Sequence, residues 1–128
     1  MTNFTGTAGF AVIRQQLMEA LKGQGRDPAA FPTAIYHNIN IGKSRSDCFA
    51  ETKRFFEAYY ASGTPDDALV DQRTVAGEPS ECIDQLLHLG STGVRHIALR
   101  LSSFRQESQF RQLIDDVLPA VTSQLLTR

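Results

Sequence analysis

The sequence predicts an α/β fold with about three parallel strands and covering helices, and three observations carry that reading. Two segments, Ala34 to Ile41 and Val94 to Leu101, alternate side chains with the period of a strand. Around them apolar residues recur at spacings of three and four, the period of a helix buried along one face. Strand-then-helix order repeats along the chain, which implies parallel strands joined by right-handed crossovers.

The elements follow in order. Polar and Gly-rich residues open the chain through Gly9, and residues 1–9 are expected to be flexible. Phe10, Ile13, Leu17 and Leu21 then mark one helix face, ended by Gly23 and Gly25. The connector Gly25-Arg26-Asp27-Pro28 cannot sit inside a helix, because its glycine weakens one and Pro28 disfavours the helical state of Asp27. In the strand that follows, Ile35, His37, Ile39 and Ile41 share the side expected to face helices. Tyr36, Asn38 and Asn40 share a side expected to face something wetter.

After a turn at Gly42 to Arg45, Ser44 and Asp47 make a capping-box-like start for a helix to about Tyr60, with an aromatic buried stripe of Phe55, Phe56, Tyr59 and Tyr60. Thr64-Pro65-Asp66-Asp67 reads as the cap and first turn of a short helix through about Val70, and Arg73 to Ala76 as a short extended stretch. Pro79 opens the next helix, which turns Cys82, Ile83, Leu86 and Leu87 inward. In the last strand Ile97, Leu99 and Leu101 share one side, His96, Ala98, Arg100 and Ser102 the other. Phe110, Leu113, Ile114, Val117, Leu118, Val121 and Leu125 mark the last helix, which Pro119 bends or ends.

Composition bounds the function. The 128 residues are 41% hydrophobic and 21% charged, which fits one compact domain and excludes a disordered tail. Thirteen Lys and Arg against fourteen Asp and Glu leave a net charge of -1, too little to gather nucleic acid or anionic lipid. No apolar run approaches the roughly 20 residues of a membrane span, and the first residues are too polar for a secretory signal, so a cytoplasmic location is expected. Cys48 and Cys82 lie far apart without metal-ligand spacing and read as buried reduced thiols.

Four segments, taken in order, resemble the carboxyl-terminal part of the luciferase-like monooxygenases, the bacterial luciferase superfamily of flavin- and deazaflavin-dependent oxidoreductases. They are Gly25-Arg26-Asp27-Pro28 before the first strand; Val75-Ala76-Gly77-Glu78-Pro79 with Ser80 and Glu81; Gly90 through Arg100; and Asp116-Val117-Leu118-Pro119-Ala120. The resemblance runs from about Phe10 to Leu126 and implies the last strand-helix units of a TIM-type (β/α) barrel. A whole barrel of that kind needs about 250 residues. It further implies FMN or the deazaflavin coenzyme F420 as cofactor, with much of its site on the missing strands. Where relatives commonly carry Thr or Ser between the glycine and the proline, this chain has Glu78, whose carboxylate suits a helix start but repels a phosphate.

Ligands of such barrels sit at the carboxyl ends of the strands, which selects Asn38, Asn40, Gly77, Arg100, Ser102 and Lys43 as candidates for cofactor or substrate binding. Arg100 either meets an anionic ligand or closes a salt bridge inside the fold, for instance to Glu78. The Asn38 and Asn40 amides either orient a carbonyl or satisfy each other. Lys43, between a strand end and a helix start, either meets an anion or lies in a solvated loop. His37 and His96 read as structural, and no catalytic residue or metal site emerges. Three strands expose a face and two edges, so a homo-oligomer, with a dimer favoured, or a companion chain is expected. The competing functions are a flavin oxidoreductase part, a non-catalytic oligomeric module descended from that family, and an unrelated three-layer domain whose own helices cover both sheet faces.

Overall fold

A computed structural model of the protein describes residues 7–61 and 63–126. Helix α1 spans Thr7–Gly23, so residues 7–9, expected to be flexible, are helical; residues 1–6 lie outside the described ones. Phe10 and Leu21 are buried, but Ile13 of the same predicted stripe is 40% exposed. A 3-10 turn, Pro28–Ala30, is capped by the Asp27 carboxylate, which accepts from Ala29 N at 2.9 Å. The remaining elements are β1 (Ala34–Ile41), α2 (Arg45–Tyr60), α3 (Asp67–Arg73), β2 (Thr74–Gly77), α4 (Pro79–Ser91), β3 (His96–Leu101), α5 (Gln106–Gln112) and α6 (Leu118–Leu126). The predicted cap at Ser44 holds, since Ser44 Oγ accepts from Asp47 N, whereas the short helix starts later than the Thr64-Pro65-Asp66-Asp67 segment suggests: its cap is Asp66, whose Oδ1 accepts from Ala68 N.

Between α5 and α6 the chain widens into a π-helical stretch, Leu113–Val117, where Leu118 N–H bonds back five residues to Leu113 O. Pro119 supplies the reason. Its ring has no N–H for the Asp115 carbonyl and would clash with it in a regular helix, so the turn before it opens. The predicted bend is thus absorbed without ending the helix. No helix among the described residues is long and apolar enough to cross a membrane.

The sheet is parallel, and its order is β2-β1-β3. Three successive units of a closed barrel would stand in chain order with every helix outside. Here β1 is central and the sheet is open, because the chain passes from β1 to β2 on one side and then back across β1 to β3. Crossovers running in opposite directions along a sheet place their helices on opposite faces. The apolar face, with Ile39, Ile41, Val75, Leu99 and Leu101, packs on Cys82, Leu86 and Leu89 of α4 and on Leu113 and Val117. Ile35, Ile39 and Ile41 have no exposed surface there, each contributing about 1.5–3 kcal/mol of burial.

The opposite, amide-bearing face departs from expectation. It is not open to anything wetter, because α2 runs along it and sets Thr52 against Asn40 and Ser102, and the aromatic stripe against Arg100. Helices of the chain therefore lie on both sheet faces. Cys48 and Cys82 are buried free thiols whose sulfurs both approach Gly77 O, at 3.9 and 3.6 Å. Burial pushes the Cys82 thiol up to about 12 and raises Cys48 as well.

Candidate functional site

In an open parallel sheet, the loops leaving two neighbouring strands toward opposite faces part at their carboxyl ends and leave a crevice. Here β1 feeds α2 on one face and β3 feeds α5 on the other. A cavity of about 490 Å3 opens at that end. All three strand ends supply it: Gly42 and Lys43 follow β1, Glu78 and Pro79 follow β2, and Arg105 follows β3. Asp47, Cys48 and Glu51 of α2 and Gln112 of α5 complete the lining.

Glu51 organises the wall of this cavity. Its carboxylate accepts from Asn40 Nδ2 at 3.0 Å, Ser103 Oγ at 2.8 Å and the Phe104 amide at 3.2 Å, and pairs with Arg105 at 3.5 Å. Burial pulls its pKa upward, but the hydrogen bonds from Asn40, Ser103 and Phe104 outweigh that pull. The carboxyl is held below its ordinary value. Gly77, the last residue of β2, has φ +134°, and a Cβ there would drive into the Glu81 carboxylate. Only glycine lets the chain turn so closely into α4, whose first turn Glu81 caps by accepting from Glu78 N at 2.8 Å.

Of the residues selected from sequence, Lys43 lines the cavity and the others are placed differently. Asn38 donates to Arg73 O and accepts from Arg100 Nε at 2.9 Å. Asn40 has no exposed surface and donates to Glu51, Thr52 and Ser102 O, while its Oδ1 is buried without a partner. Ser102, also fully buried, meets Thr52 Oγ1 at 3.0 Å. The Asn38 and Asn40 amides therefore do not satisfy each other. Arg100 makes no salt bridge to Glu78: its guanidinium bonds Asn38 and Tyr60 Oη and lies over the rings of Tyr36, Phe55, Phe56, Tyr59 and Tyr60, nearest to Tyr59 at 4.2 Å. Gly77 contributes its carbonyl, which takes the Gly42 N–H at 2.9 Å and so ties the ends of β1 and β2 together.

Sequence reading missed Glu51 and Arg105. The available signal for Glu51 was a carboxylate three residues after Cys48 and four before Phe55, on the buried stripe of α2. Nothing local marks Arg105. A second hollow of about 430 Å3 lies beside β2, between His37, Val75, Gln85, His88 and Leu89, away from the strand ends.

The fold and this rim define an α/β chain with a cavity at the carboxyl ends of parallel strands. No protein-family model and no curated protein matches the chain; the likeness is to solved structures of luciferase-like flavin and F420 oxidoreductases. An F420-dependent secondary alcohol dehydrogenase, solved with an F420-acetone adduct, superposes with a TM-score of 0.77 at 14% identity over 94% of this chain and 42% of its own. A coenzyme F420-dependent tetrahydromethanopterin reductase from Methanopyrus kandleri gives 0.70 at 18% identity, over 91% of this chain and 43% of its own. Flavoprotein 390 gives 0.65 at 13% identity, over 86% of this chain and 51% of its own. The chain matches part of such a fold while keeping its own open sheet of order β2-β1-β3, and it spans about half or less of each relative's length.

Proposed function

We propose that the chain is one part of a luciferase-like flavin- or deazaflavin-dependent oxidoreductase, supplying the carboxyl-terminal, substrate-side wall and not active alone. The observation that carries this reading is its superposition, over 94% of its length, on 42% of an enzyme whose structure holds an F420 adduct. The cavity volume, about 490 Å3, suits a ring-sized ligand. Its donor set fits the uncharged part of such a ligand and not its phosphate, because Asp47, Glu51 and Glu78 face the same space and Glu51 already engages Arg105. The phosphate site therefore belongs to the missing part of the barrel. A flavin or deazaflavin bound by the completed barrel would supply hydride transfer or oxygen activation, and this chain's residues would position it.

A second reading, a non-catalytic module, draws support from α2, which fills the amide face that a barrel would keep for its interior. Titrating FMN and then F420 into the purified chain, with visible absorbance and sedimentation equilibrium read together, tests the two. No binding by the chain alone, with stoichiometric binding once the remaining barrel strands are supplied as a second chain, is the expected result. A folded chain that binds neither cofactor in either setting leaves the module.

A further inference from the structure

The two edges of the sheet are finished differently. On β2 the Gln85 side chain covers the outer edge: its Oε1 accepts from Ala76 N at 3.2 Å and its Nε2 donates to Ala76 O at 2.9 Å. On β3 the phase is fixed by Ser102 N–H, which donates to Ile39 O at 3.0 Å. Even-numbered residues of β3 thus bond toward β1, and Ile97, Leu99 and Leu101 turn their N–H and C=O groups outward. Gln106 Nε2 takes the outward carbonyl of Leu101 at 2.8 Å, but among the described residues nothing bonds to the outward groups of Ile97 and Leu99. The strand carries no Pro and no Lys, the devices that usually blunt an edge.

We propose that this edge of β3 is an interface that pairs with β3 of a second copy of the chain, antiparallel and centred on Ala98. An edge run antiparallel against itself is its own complement in donors and acceptors, so a second copy is the occupant the geometry selects. Centring on Ala98 pairs Ile97 of one protomer with the partner's Leu99 and leaves Leu101 O with Gln106. The small, exposed Ala98 sits on the two-fold axis, where strands approach most closely. Tyr59 and Tyr60, 60% and 40% exposed, flank the edge through Arg100 and gain cover. Two three-stranded sheets become one of six, a common sheet size.

Sedimentation equilibrium over a dilution series tests this, together with hydrogen exchange and the variant Ala98→Lys, which sets two ammonium groups side by side on the axis. The wild-type chain is expected at twice its 14.2 kDa. Ala98→Lys is expected at the single mass with an unchanged circular dichroism spectrum. A wild-type chain at the single mass throughout overturns the proposal, and so does an Ala98→Lys chain that keeps the double mass. Should Ala98→Lys not fold, the wild-type amides of Ile97 and Leu99 decide: protection that rises with concentration supports the pairing, and free exchange at the double mass overturns it. A chain that dimerises this way and binds no flavin fails only the functional reading.

Discussion

The Gln109 side chain stands in for a missing strand beside Ile41. Its Oε1 accepts from Ile41 N at 2.8 Å and its Nε2 donates to Ile41 O, with no part of Gln109 exposed. Because β3 ends in register with Ile39, the last residue of the central strand would otherwise bury two unpaired main-chain groups. Replacing Gln109 with Leu keeps the apolar contacts and removes both bonds. The expected loss is about 2–4 kcal/mol in urea unfolding, the cost of two unsatisfied buried groups. A loss below about 0.5 kcal/mol would show that water takes the place of the amide.

Arg100 separates a structural role from a ligand role. Its guanidinium holds Asn38 and Tyr60 Oη and is surrounded by five aromatic rings. A lysine keeps the charge but loses the planar fork that serves both partners. Arg100→Lys is expected to lower stability by about 1–2 kcal/mol without any ligand present, and to weaken the near-ultraviolet tyrosine signal of Tyr59 and Tyr60. If both stay at wild-type values, the residue is not holding this face together.

What the sequence made legible was local. Helix caps at Ser44 and Pro79 and the alternation of β1 rest on neighbours a few residues apart, and the structure keeps them; of the stripe ending at Leu125 it buries Leu113 and Val117 and leaves Phe110, Ile114, Leu118 and Leu125 exposed. Strand order was not legible, because nothing in the 94–101 segment tells whether it joins β1 or β2. That order decides which face each helix covers, so the amide face was expected to be open and is instead filled by α2. The same reason hid the site: Glu51 earns its partners from Ser103 and Phe104, more than fifty residues away. Gln109 was recoverable only as an amide on the stripe that continues with Leu113 and Val117.

His37 makes stability depend on pH. It is 5% exposed on the apolar face of β1, beside Leu99 in register, and burial pushes its pKa down to about 4 from 6.5. Asp71, Asp84 and His88 stand around the same hollow, but burial is the cause. Between these two values the unfolded chain takes up a proton that the folded chain refuses, so stability is full above about pH 6.5 and falls as pH drops toward 4. The whole loss from this one group is about 3 kcal/mol. Urea unfolding of the wild type and of His37→Leu at several pH values across that window measures it. The expected outcome is a difference in slope of up to one proton between the two chains, vanishing above pH 7. Glu51, held low, contributes loss in the same direction at more acidic pH and does so in both proteins, so it cancels in the comparison. Parallel pH profiles for the two chains would mean that His37 takes its proton in the folded state as readily as in the unfolded one.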